Sequence, residues 1–139
     1  MSLAHTIALL ACGTFFMTAL LAGVWKWRAM VTSEDHQAPF YVDTAHRAAL
    51  LYSFACLVLA EFLRHSPFSE TINTLAVTAP ILFFGVAIAT YLRLGWLDQT
   101  DNQFATPSPT QHGGMVLLIA AEIGGFAVLF AGFLIQRFS

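Results

Sequence analysis

Four runs of about twenty residues, Thr6–Trp25, Ala45–Leu63, Thr71–Leu94 and Met115–Gln136, are almost wholly apolar. At about 1.5 Å per residue, a helix of that length matches the roughly 30 Å hydrocarbon core of a bilayer. In lipid the backbone must satisfy its own hydrogen bonds, so such runs are helices. Only 10% of the chain is Asp, Glu, Lys or Arg, against about 25% in soluble domains. The sequence therefore predicts an all-α, integral membrane four-helix bundle in which residues 1–139 form a single domain. Two connections of roughly twenty residues and one short turn join the runs, which leaves no room for a soluble catalytic module. No basic residue precedes the first run, and it continues well past Cys12. It is therefore expected to be a membrane span and not a cleaved signal.

The charges suggest an orientation. Lys26, Arg28, Arg47 and Arg93 flank the first and third connections, whereas Arg64 and Arg137 lie toward the other side. By the positive-inside rule those two connections are expected to be cytoplasmic, with both termini outside, in a bacterial inner (plasma) membrane. Trp25, Trp27 and Trp96 mark the same face as an interfacial belt. A net charge of -2 argues against a nucleic-acid partner. Cys12 and Cys56 fall inside apolar runs and read as small packing residues.

Local punctuation supports the four-run reading. Asp43 and Thr44 are expected to cap the second helix, Ser66-Pro67 to form the short turn, and Gly113-Gly114 to precede the fourth helix. Pro80 interrupts the third run and frees the carbonyl of Ala76 from its usual donor. Small residues repeat along one face of two helices: Ala49, Ser53, Cys56 and Ala60 on the second, and Ala120, Gly124, Ala127 and Ala131 on the fourth. Small residues let membrane helices approach closely, so the second and fourth helices are expected to pack along these stripes. The strongly apolar surface also predicts a homo-oligomer, or a subunit of a larger membrane complex, in contact with the lipid bilayer.

An ionisable group deep in a membrane helix is a candidate functional residue, because it is costly to keep there. Glu61 has Arg64 and His65 at i+3 and i+4 and reads as an interfacial ion pair. Glu122 has no basic residue within a turn. Residues at matching depth on other helices are Thr18 and Tyr52, so Glu122, Tyr52 and Thr18 form a candidate proton-binding or ligand-anchoring cluster. A second polar group gathers in the connections: Asp43, His46 and Arg47 lead into the second helix, and Asp98, Asp101, Asn102 and Gln103 follow the third. Together they are expected to form a polar lid above Glu122. Within it "TDNQF" has turn chemistry, with Phe104 tucked into the interface, and "ATPSPT" reads as an extended spacer. The oxygen ligands have no recognised metal-binding spacing, so no metal site is assigned. His46 and His112, from separate segments on one face, leave a haem-binding electron carrier as an alternative; no other cofactor is indicated.

The four-helix layout with a long first connection resembles the MAPEG family, trimeric membrane enzymes of glutathione and eicosanoid metabolism. The stretch "HRAALLYSFACLVLAEF" lies where that family has its second-helix signature. The resemblance would imply a glutathione- or lipid-modifying enzyme that holds an anionic cofactor with Arg47 and Arg93. The family pattern places an asparagine and then a glutamate where this chain has Leu51 and Phe54. Those departures remove residues expected to bind and activate glutathione, so no family is assigned. The functional expectation is an accessory or small-molecule-binding membrane protein, not an enzyme in its own right.

Overall fold

The computed structural model describes residues 1–138. Among these, the chain forms four α-helices and no strand: α1 (Leu3–Thr32), α2 (Phe40–Arg64), α3 (Glu70–Leu97) and α4 (Pro109–Phe138). Each is long and apolar enough to cross a membrane. The helices are longer than the apolar runs inside them, and the extra turns include Lys26, Arg28, Asp43, Arg64, Glu70 and Arg137.

That extension moves several expected caps into helices. Asp43 and Thr44 do not precede α2 but lie in its first turns, after Pro39. Thr44 donates its hydroxyl to the Phe40 carbonyl at 2.9 Å, and Asp43 is free to pair through its side chain. Gly113 and Gly114 likewise lie inside α4. The cause is a reciprocal capping box at Ser108 and Gln111. Ser108 Oγ accepts from the Gln111 amide at 3.2 Å, and Gln111 Oε1 accepts from the Ser108 amide at 3.1 Å. Pro109 then takes the first helical position, where its missing N–H costs nothing. The "ATPSPT" stretch is therefore partly a helix start and not wholly an extended spacer. Ser69 caps α3 by accepting from the Ile72 amide at 3.4 Å.

Packing is uneven. The α1–α2 contact is the most extensive in the molecule, and α3 lies against both helices. Ala49, Ser53, Cys56 and Ala60 are buried, as a packing stripe should be. Their clusters include Ala4, Ala8 and Ala19 of α1, so the close helix approach is α1–α2 and not the expected α2–α4. The other stripe, Ala120, Gly124, Ala127 and Ala131, faces outward. Helix α4 instead turns Gly125, Leu129 and Gly132 inward.

The seat for α4 is built on Pro80. Pro80 is buried within α3, and a Cβ on Gly125 would overlap the Ala76 carbonyl oxygen and lie 2.8 Å from Pro80 Cδ. The carbonyl left without its helical donor thus faces the one residue type that lets a backbone come so close. Contact between α4 and α2 is slight, and the backbones of α4 and α1 make no close approach. Where α2 and α4 do meet, Phe62 presents edges to Phe126, Phe130 and Phe133, with ring centroids 5.2, 5.9 and 5.5 Å apart. These bulky rings hold the two helices apart, leaving a groove farther along α4.

Candidate functional site

Two of the candidate residues, Asp43 and Glu122, line separate concavities. The first lies at the end bearing the two long connections. Asp43 binds Lys26 Nζ at 2.6 Å and Arg47 Nη2 at 2.8 Å, joining α1 to α2. These side chains are about a third exposed or more, so each pair contributes roughly 1 kcal/mol or less. His46 acts one turn farther in. Its Nδ1 lies 2.8 Å from the Ala19 carbonyl oxygen, which only accepts, so Nδ1 carries the proton and donates. Gly23 leaves space for that ring, since a Cβ there would come within 3.0 Å of it.

The second long connection folds back on the same end. Tyr41 Oη accepts from the Gln103 amide at 2.7 Å, and Gln111 Nε2 donates to the Gln103 carbonyl at 2.8 Å. Asn102 Oδ1 accepts from the Phe104 amide at 3.0 Å, so "TDNQF" is the ordered turn its composition suggests. Phe104 is 44% exposed on the protein surface. Asn102 shapes the turn, and Asp101 is exposed in it. Between the α1–α2 connection and Asp98 lies an open polar cavity of about 860 Å³, whose lining includes Lys26, Asp35, His36 and Asp43.

The second concavity contains Glu122. It is a groove of about 210 Å³ among α2, α3 and α4, lined by Ala55, Val58, Leu59, Pro80, Phe84, Glu122 and Phe126. Every lining group except the Glu122 carboxyl is apolar. Among the described residues, the buried Oε1 of Glu122 has no hydrogen-bond partner. Tyr52 stands beside the groove with its ring stacked on Phe84, centroids 4.3 Å apart and planes 14° apart.

The structure does not assemble the proposed Glu122–Tyr52–Thr18 cluster. Thr18 donates its hydroxyl to Thr14 within its own helix at 2.9 Å, and the backbones of α1 and α4 make no close approach. The cavity at the connection end and the Glu122 groove have different lining residues. His112 lies in the first turns of α4 and not in a loop, while His46 already links α2 to α1. Among the described residues, no group of three or more His, Cys, Asp or Glu side chains is arranged to hold a metal. Glu61 pairs with Arg64 at 3.4 Å and His65 at 3.3 Å, as its spacing predicts.

Sequence reasoning missed Lys26 as the partner of Asp43, Tyr41 as the anchor of the third connection, and Phe84 as the floor of the groove. Only the Ser108–Gln111 box had a recognisable local signal. The other three depend on which helices become neighbours. Comparison of the chain with family models, curated proteins and solved structures gave no match in any of the three.

Proposed function

We propose that this chain is an integral membrane protein that binds small apolar molecules at Glu122, serving as an accessory protein and not as an enzyme. The observation that carries this reading is the unpartnered, buried Oε1 of Glu122 in a groove that is otherwise apolar. Buried polar atoms are satisfied almost everywhere in native proteins, and doubly so in lipid, where water offers no substitute. The groove walls hold no donor, so the donor comes from outside the chain. A hydroxyl, amine or amide on an apolar body meets both requirements. The groove is smaller than the roughly 300–1,000 Å³ typical of drug-sized sites. It therefore takes the polar group of such a molecule and the part of its apolar body next to it, the remainder lying outside the groove.

A long-chain alcohol carrying a photoreactive group tests this reading in proteoliposomes. Labelling is expected at Ala55, Val58 and Phe126, retained in Glu122→Gln, which keeps an acceptor oxygen, and reduced at least tenfold in Glu122→Leu. Uniform labelling of all exposed helix faces, unchanged in Glu122→Leu, would refute it.

The outward face of α4 favours a second reading, that of an assembly subunit. Ala120, Gly124, Ala127 and Ala131 form a smooth exposed strip, and a Cβ on Gly124 would meet nothing within 4 Å. Such a strip suits close approach by another membrane helix. Gly124→Leu would lower the copy number seen by native mass spectrometry if that face carries assembly, and leave it unchanged otherwise.

A further inference from the structure

A third concavity lies on the same side of α2 as the Glu122 groove. It measures about 300 Å³, and Arg47, Leu51, Tyr52 and Tyr91 are among its lining residues. Tyr52 connects the two: it lines the upper groove and stacks on Phe84, which lines the lower one. Along α2 the lining residues Arg47, Leu51, Ala55 and Val58 follow helical spacing. They form one face about 16 Å long by helical rise. We infer that these grooves make one furrow for a single-chain lipid with an anionic head at Arg47 and a hydroxyl or amide partway along its chain at Glu122.

The two ends of the furrow carry the argument. Arg47 gives one contact to Asp43 through Nη2, and its side chain is 63% exposed. A guanidinium has five N–H donors in a planar fork suited to carboxylate or phosphate oxygens. Donors therefore remain for a head group at the polar end of the furrow. At the other end the requirement is reversed, because Glu122 Oε1 is an acceptor lacking a donor. Between them lie Leu51, Tyr52, Ala55, Val58 and Phe84, a path suited to a hydrocarbon chain. A ligand polar only at its head would leave Glu122 unsatisfied. One polar only in mid-chain would leave Arg47 facing solvent.

The inference rests on the Glu122 reading but can fail separately. Binding of 12-hydroxyoctadecanoate, its methyl ester and octadecanoate is measured on the intact protein in detergent micelles. The hydroxy acid is expected to bind at least tenfold more tightly than either the ester or the plain acid. Arg47→Gln removes the preference for acid over ester, while Asp43 keeps Lys26 and the helix end stays tied. Glu122→Leu removes the preference for the hydroxyl. Millimolar inorganic phosphate leaves binding unchanged; displacement by it would assign Arg47 to a free anion and overturn the lipid furrow. If acid and ester bind wild type equally but the hydroxyl preference persists, the furrow is wrong and the Glu122 groove stands. If neither preference is found, both readings fall.

Discussion

The connection end of this protein and the middle of α4 use polar residues in opposite ways. At the connection end, Asp43 has two cations, His46 has a carbonyl, and Tyr41 and Gln111 both hold Gln103. Many polar residues meet there and pair within the chain, although Arg47 keeps guanidinium donors beyond its contact with Asp43. At Glu122 one carboxyl is surrounded by aliphatic and aromatic groups, and its Oε1 is left without a partner. The crowded region is the better explained as structure, and the sparse one is the better candidate for function.

The largest expected effect tests the frame that holds Glu122 in place. Gly125→Leu forces a side chain into the Ala76 carbonyl and Pro80 and should cost about 2–3 kcal/mol by overpacking. Gly124→Leu, one residue away and facing open space, should change monomer stability by less than about 0.5 kcal/mol. Denaturant unfolding in micelles compares the two, and equal losses would show that α4 is not seated on Pro80. Next comes His46→Ala, which removes the donor to Ala19 and should cost about 1–2 kcal/mol in the same assay.

Two further substitutions separate satisfied from unsatisfied groups more sharply. Glu122→Leu should raise stability by about 1 kcal/mol, because it replaces a polar atom that nothing in the chain satisfies. A loss of more than about 1 kcal/mol would mean that Glu122 has a partner in the native fold. Tyr41→Phe should go the other way, by about 1 kcal/mol. Hydrogen exchange should then quicken locally at the Gln103 amide, whose bond to Tyr41 is lost. The smallest effect belongs to Asp43→Asn. Its partners are partly exposed, so the loss should be below about 1 kcal/mol and should shrink further at high salt.

The four helices were legible because their apolar runs have the length that a bilayer demands. Pro80 and the freed Ala76 carbonyl were legible for the same local reason. Neighbour choice was not. The two small-residue stripes have the same spacing, yet one is buried against α1 and the other faces outward. Spacing shows that a face is smooth, but not which helix meets it. Glu122 stood out as a lone carboxyl, and Tyr52 reaches the side of its groove by stacking on Phe84. Thr18 was misjudged because matching depth places residues at one height and leaves their direction around the helix open. The start of α4 lies earlier than expected because "ATPSPT" has the composition of an extended spacer, whereas the Ser108–Gln111 pair makes Pro109 a helix opener.

The central claim is that Glu122 takes its partner from outside the chain. Native mass spectrometry of the protein released from membranes into mild detergent tests this most directly. The account predicts a lipid-sized bound mass on wild type and on Glu122→Gln, absent from Glu122→Leu. Bare wild-type protein, or the same bound mass on Glu122→Leu, would contradict it.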